Sequence, residues 1–504
     1  MTDPDSAPRA RRRWPRRIVI LFGLVALWVL GRPVIFLGMV AWKDTKVEIA
    51  TRAGYVDDMS GMESTAVAEV WAIPDEIEPA IDGLRALLKR ARSEGLGISI
   101  AGARHSQGGH TIAADGIVVD MTGFASMEFD ESSELLTVGS GAVWSAVLAY
   151  LDPLGRSVAI MQSNDSFTVG GSVSVNCHGW QHGCPPIASS VRSFRILLAD
   201  GRLLTCSREQ NQELFSLALG GYGLFGILID VRLEVARNEL YRVDTGVLST
   251  EEFGPAFLAE MGDPDVGLAL GRVSIRPDAL FEESILKVLR RVPAPGGLPP
   301  ISPSGKRGLR RTVLRGSVGS DYGKDLRWTL ETTLGAHSKS AQTTRNAELA
   351  ESVDVYANHD PAGVDILHEY FIPHSRLSEF LTLSRPLFES STCDLLNLTV
   401  RDVRQDHDTM LRYADQDMFG FVMLFHQRLT PAGEEAMGEL TRELIDLADG
   451  LGGRYYLPYR PHATRAQFER AYPMAKEFFE AKLRFDPDEL FTNRFYDRYG
   501  PRGQ

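Results

Sequence analysis

Residues Gly102-Ala103-Arg104-His105-Ser106-Gln107-Gly108-Gly109-His110 place four small residues and an imidazole directly after the apolar run Ile98 to Ala101. Glycine and alanine at Gly102, Ala103, Gly108 and Gly109 let backbone N–H groups turn toward a single point, an arrangement suited to a diphosphate. The loop is expected to hold a phosphorylated cofactor. A second cluster, Cys177-His178 with His182 and Cys184, has metal-ligating residue types, but Gly179, Gly183 and Pro185-Pro186 break it into a loop and no metal is expected there.

The elements around these residues belong to a chain of 504 residues, 44% hydrophobic and 24% charged, enough for two or three domains. A net charge of −12 with no basic face excludes nucleic acid as the main partner. Four irregularly spaced cysteines (Cys177, Cys184, Cys206, Cys393) make neither a disulfide framework nor a zinc site, so the fold must rest on packing.

The amino terminus has its own character. Residues 1–17 form a basic tail with Arg9, Arg11, Arg12, Arg13, Arg16 and Arg17, and 18–42 form an apolar run interrupted only by Arg32-Pro33. About 20 apolar residues suffice to cross a bilayer, so 18–42 are expected to be a membrane anchor, with a monotopic or re-entrant segment as the alternative because Arg32 is costly in lipid and Pro33 kinks a helix. The arginine excess puts the amino terminus on the cytoplasmic side and the large domain outside. Arg16-Arg17 also admits a twin-arginine export signal, but no small-x-small cleavage site follows.

From Val67 to Val235 strands alternate with helices. Asp75 with Glu78 reads as a cap for an amphipathic helix ending at Gly95. Strands are expected at 97–101, 117–120 and 135–138, and a hairpin of 192–198 with 202–206 around Asp200-Gly201. Gly221 to Gly226 reads G-x-G-x-x-G, but a helix leads in and a strand, 227–235, leads out, the reverse of the dinucleotide fingerprint; its glycines serve close backbone approach to a ligand or strand. Further on, 290–315 reads as a long exposed loop, strands are expected at 366–373, 395–400 and 419–426, and Thr464 with Gln467 caps a last helical region ending near Phe485.

Three segments together resemble the flavoproteins with a p-cresol methylhydroxylase-type (PCMH) FAD domain, the vanillyl-alcohol oxidase family. They are the His105 loop, Thr168-Val169-Gly170-Gly171-Ser172-Val173-Ser174-Val175-Asn176-Cys177-His178-Gly179, and Leu214-Phe215 through Gly226-Ile227-Leu228; Asp486-Pro487 to Asn493-Arg494-Phe495 resembles the family's closing motif. The middle and last stretches are most similar to the decaprenylphosphoryl-ribose oxidases, and the Gly-x-x-His-Ser loop to alditol and aldonolactone oxidases. The resemblance implies an α+β protein: a PCMH-type FAD-binding domain over 60–238, a mixed substrate or cap domain over 239–460, and a C-terminal segment, 461–504, closing on the first.

It also implies FAD, with His105 as its attachment point, Gly102, Ala103, Arg104, His105, Ser106 and Gly109 cradling the diphosphate, and Ser163, Thr168, Gly170 and Gly171 running along it. Ser174, His178 and Gly179 would approach the ring, and Gly226 with Leu228 the adenine side. Ser166-Phe167 stand where doubly linked relatives carry a cysteine. An alcohol C–H yields hydride only if the hydroxyl is polarised or deprotonated, so a base or cation is required, with His178, Arg401, His426, Tyr459 and His462 as candidates. Arg401 matches a cationic substrate contact that in relatives often sits beside a glutamate missing here. Trp180 and Tyr459 stand where the decaprenylphosphoryl-ribose enzymes have lysines, which puts that substrate in doubt.

The expected activity is FAD-dependent oxidation of a C–OH group of a sugar, polyol, lactone or lipid-linked saccharide, with oxygen, quinone or a redox protein as acceptor. The rivals are a flavin-dependent C=C reductase, sterol Δ24-reductase-like, and a non-catalytic flavoprotein subunit of an envelope complex.

Overall fold

The computed structural model describes residues 16–44, 52–301, 307–337 and 341–501. Short parallel pairing starts the first layer: Glu69–Ala72, Ile117–Asp120 and Ile98–Ala101 form a three-stranded sheet, covered by the helix Ile77–Glu94 through Ala80, Leu84, Leu87, Leu88 and Ala91. That helix begins one residue later than the sequence cap implies. Its N-cap is Glu76, and no side chain bonds its first turn, so the Asp75/Glu78 cap does not form.

The second layer is an antiparallel sheet ordered Leu203–Ser207, Val191–Leu197, Ile227–Arg237, Leu135–Gly139 and Met127–Asp130, with Arg156–Val158 pairing the far end of Ile227–Arg237. The expected hairpin joins its first two strands across Asp200-Gly201. The short helix Val169–Ser174 packs on this sheet, its first turn capped by Thr168, whose hydroxyl accepts from Gly171 N at 3.3 Å. Trp144, fully buried, donates from Nε1 to Ser172 Oγ at 2.8 Å and fixes the helix from behind.

The cap is built on an eight-stranded antiparallel sheet whose central strands are Glu283–Arg291, Val266–Val273, Asp394–Val403, Met418–Arg428 and Gly363–Pro373. Side chains alternate across it with period two. One face packs on the helices Thr250–Glu260, Leu377–Ser390 and Pro431–Gly450; the other turns toward the FAD-domain resemblance. The C-terminal segment returns to the first layer: Thr492 N donates to Ile98 O at 2.9 Å, and Asn493 Nδ2 to Tyr222 O at 2.9 Å. The Thr464/Gln467 capping box forms as read, but the final helical region is two helices, Arg465–Ala471 and Ala475–Phe485.

Two expectations change. The stretch 290–315 is not one exposed loop: a strand runs to Arg291, and Arg307–Arg315 is a helix with Leu314 and Arg315 buried, because its apolar side closes over the interior while its arginines pair with neighbours. The amino-terminal segment Arg16–Lys43 is helical and continuous through Pro33. Arg32 lies over the Tyr322 ring at 3.8 Å, and Asp44 pairs with Arg311 at 2.6 Å, so the end of this helix packs on the cap. Among the described residues no helix is long and apolar enough to cross a membrane; residues 1–15 and the side chains of 16–27 lie outside the described set.

Candidate functional site

One cavity of about 1510 Å³ lies between the two sheet layers and the cap. Ligand pockets usually measure roughly 300–1,000 Å³, so this one has room for a dinucleotide and a second molecule together. Its inner wall is the His105 loop and the segment 162–178; its roof is the cap sheet. Thr245, Lys287, Arg272, Asn397, Thr399, Arg401, Asp365 and Glu369 all line it, every second residue of their strands.

Gly102 shows how tightly the inner wall is built. A Cβ there would lie 2.0 Å from Thr168 Oγ1, so the loop and the capped turn of Val169–Ser174 meet with no room for a side chain. Ser106 Oγ, Thr111 Oγ1, Ser140 Oγ and Arg104 Nε are buried on this wall with no hydrogen-bond partner among the described residues. Buried polar groups without partners are costly, and these are donors on the lumen of a cavity, as an anionic, oxygen-rich cofactor requires.

His105 Nε2 donates to Ser166 O, 3.2 Å away, and its ring stacks on Phe167 with centroids 4.3 Å apart. Burial pushes its pKa down. The loop is tied to the roof: Gln107 N donates to Pro458 O, Gln107 Nε2 to Asp365 O, and Leu367 N to Gln107 Oε1. Asp58, also at the cavity wall, accepts from Gly109 N at 2.8 Å.

The family whose model matches residues 80–207 is described as an FAD binding domain. The chain carries an FAD-binding domain of the PCMH type. FAD is its cofactor. Part of the chain is similar to cytokinin dehydrogenase 2 of Arabidopsis thaliana, 32% identical over 27% of this chain and 27% of that protein. An uncharacterized oxidoreductase of the fasciation locus of Rhodococcoides fascians is 30% identical over 30% of the chain and 35% of its own length. Cytokinin dehydrogenase 4 of Oryza sativa subsp. japonica is 32% identical over 32% of each. These matches span about a quarter to a third of the relatives' length. The family match ends at residue 207, before the cap begins.

Of the residues expected to hold FAD, Gly102, Ala103, Arg104, His105, Ser106, Ser163, Thr168, Gly170, Gly171, Ser174, His178, Gly226 and Leu228 line the cavity. Gly109 and Gly179 do not. The Gly109 amide is taken by Asp58, and Gly179 is pressed against Met161 O and the Gln181 side chain, where a Cβ would lie 2.0 and 2.1 Å away. Gly226 serves the lumen and a close approach to Leu197 O on the next strand.

Among the catalytic candidates, His178, Arg401 and Tyr459 line the cavity, whereas His426 and His462 do not. His426 Nδ1 bonds Asp365 Oδ1 at 2.8 Å, its cross-strand neighbour on the same face of the sheet, and Asp365 also pairs with Arg315. His462 is held by Thr441 at 3.1 Å and Glu434 at 3.0 Å. Although burial opposes it, hydrogen bonds from His462, Gln427 and Arg460 hold the Glu434 carboxyl well below the ordinary range, so His462 is taken up by a network outside the cavity.

A glutamate does reach the cavity wall, from a strand other than that of Arg401. Glu369, 3% exposed, lines the cavity with Oε1 2.5 Å from His178 Nε2 and Oε2 accepting from the Tyr459 hydroxyl at 3.2 Å. Gly420, on the strand between Arg401 and Phe371, leaves the space: a Cβ there would stand 3.2 Å from Glu369 Oε1 and 3.4 Å from the His178 ring. Alternation along Gly363–Pro373 marks Glu369 as sharing a face with Asp365, but which face meets the cofactor is a tertiary fact.

Arg401 Nη2 donates to Ser163 Oγ at 2.8 Å, while its buried Nε has no partner among the described residues. The other cations of the roof are neutralised: Arg272 and Arg327 by Glu331, and Lys287 by Glu348. Lys287 Nζ also stands 5.3 Å over the Trp180 ring, bringing an ammonium from the cap close to the position where the resembling enzymes have a lysine. No group of three or more metal-ligating side chains occurs among the described residues.

Proposed function

We propose that the protein is an FAD-dependent oxidoreductase that oxidises a C–OH group of a sugar, polyol, lactone or lipid-linked saccharide. The observation that carries this reading is the roof of the cavity, where Thr245, Lys287, Arg272, Asn397, Thr399, Arg401 and Glu369 offer hydroxyl, amide and charged groups along one face of the cap sheet. A polyhydroxylated molecule can add hydrogen bonds along such a surface and meet the buried Arg401 Nε, which has no partner among the described residues and which an apolar molecule would leave unmet.

When bound, FAD takes up the hydride. The chain's own work is to hold the substrate and manage its proton. Arg401, with a spare N–H beside Ser163, can hold the reacting oxygen and stabilise negative charge on it. His105, at the cavity wall, is the position for a covalent link to the flavin. The cytokinin dehydrogenase relatives support a second reading, oxidation at a carbon bearing nitrogen, but the family match covers 80–207 and leaves the roof outside it.

Anaerobic bleaching of the flavin by a panel of pentitols, hexitols, aldonolactones and N6-substituted adenines separates the two. Bleaching by the adenines and by none of the polyols or lactones overturns the C–OH reading. The flavin should stay on the protein after acid precipitation and be lost in His105→Ala. The N-terminal helix, with Val34, Ile35, Met39 and Trp42 exposed, supports membrane attachment. Deleting residues 1–42 should release a yellow protein from the membrane fraction.

A further inference from the structure

We infer that Tyr459 and Glu369 form the proton acceptor of this site, Tyr459 touching the substrate and Glu369 storing its proton. The inference rests on the oxidoreductase reading above.

Tyr459 and Glu369 both line the cavity, and the phenol donates to Glu369 Oε2 at 3.2 Å. The other oxygen of the carboxylate faces His178 Nε2, and His178 Nδ1 faces Gly179 O at 3.3 Å. Both ring nitrogens therefore face acceptors, so His178 is oriented to donate to Oε1 and leaves Oε2 to the phenol. A carboxylate clamped in this way keeps one fixed direction for proton transfer, along Tyr459 into the lumen.

The charged and titratable groups around Glu369 are few. His178 and Cys177 face it from the segment after Val169–Ser174, Tyr413 from the loop before Met418–Arg428, and Tyr459 from the loop before Arg465–Ala471. Arg401, on the strand beyond Gly420, acts on Tyr459 and Cys177. Burial, then the neighbouring carboxylate, pushes the Tyr459 phenol well above its usual range, while burial pushes the Cys177 thiol up to about 12. Neither is an anion near neutrality, so Glu369 is the acceptor and Tyr459 the conduit.

The step balances as follows. The O–H bond of a bound alcohol breaks and its proton joins the Tyr459 oxygen as the phenol's own proton passes to Glu369 Oε2. The carbon's hydrogen leaves with its electron pair to the flavin, the oxidant, and a C=O bond forms. Arg401 holds the oxygen during the transfer. Tyr459 is the catalytic residue here; Glu369 and His178 position and charge it.

The experiment uses the full-length holoenzyme labelled with 3-fluorotyrosine. The Tyr459 resonance is assigned by its loss in Tyr459→Phe, which removes only a hydroxyl. At one pH it should lie at a different chemical shift in Glu369→Gln, whose amide removes the carboxylate that the phenol donates to. A resonance at the same position in wild type and Glu369→Gln overturns the inference. With xylitol as probe, flavin bleaching should slow about a hundredfold in Glu369→Gln and in Tyr459→Phe, with flavin content unchanged. Equal rates in wild type and both variants overturn the inference; if xylitol fails to bleach the wild type, the fluorine shift decides the pair while the polyol reading falls separately.

Discussion

Asp58 makes the loop that carries His105 sensitive to pH in a direction opposite to that of ion-paired carboxylates. Its Oδ2 accepts from Gly109 N at 2.8 Å, and its Oδ1 accepts from Ser60 N at 2.9 Å and Ser60 Oγ at 2.5 Å. Even so, burial pushes its pKa from 3.8 up to about 6, with Glu63 adding to the rise. A raised carboxylate pKa means that the folded protein keeps a proton the unfolded chain has released, so stability falls as pH rises from about 4 to 6 and stays low above that window.

A rise of about two pH units at about 1.4 kcal/mol each amounts to roughly 3 kcal/mol, an upper value because solvent and FAD reorganise around the site. Asp58→Asn keeps an oxygen for Gly109 N and abolishes the charge. It should therefore be more stable than wild type by about 1–2 kcal/mol at pH 7.5 and indistinguishable at pH 4.5, after allowing for weaker neutral hydrogen bonds. Urea unfolding followed by flavin and tryptophan fluorescence at the two pH values measures this. A variant less stable than wild type at pH 7.5 would show that the charged carboxylate holds the loop, and would refute the argument.

Gly102→Ala should lose FAD and several degrees of melting temperature, because its methyl must displace Thr168 and break the cap of Val169–Ser174 at about 2–4 kcal/mol, read by flavin content and thermal unfolding. Arg401→Ala should lower kcat/KM roughly ten- to a hundredfold with full flavin content, the cost of one charge-assisted contact of about 1.5–3 kcal/mol; normal turnover would return Arg401 to a packing role. Arg311→Ala removes a contact worth about 1.5–3 kcal/mol and should speed amide exchange in residues 31–44 without changing flavin binding.

Local sequence signals carried the cofactor and most of the elements. The His105 loop, the Asp200-Gly201 hairpin and the Thr464/Gln467 box are contacts between near neighbours, set by backbone preferences that act over a few residues. Readings at the same range failed where packing overrode them: Glu76 replaced Asp75 at a helix start, and the arginine-rich stretch to Arg315 coiled into a helix once its apolar side had the cavity to cover.

The identity of the site residues was a different matter, because side chains from strands far apart in sequence meet only after the cap sheet has chosen its face. His426 and His462 have the right chemistry and are consumed by Asp365 and Glu434, whereas Glu369, unremarked in an apolar strand, arrives beside His178 from 191 residues away. What the sequence determined alone was a glycine-rich loop on the cavity wall and the FAD cofactor. Which carboxylate faces the lumen was decided by strand register and by the space left at Gly420, quantities that no local pattern encodes.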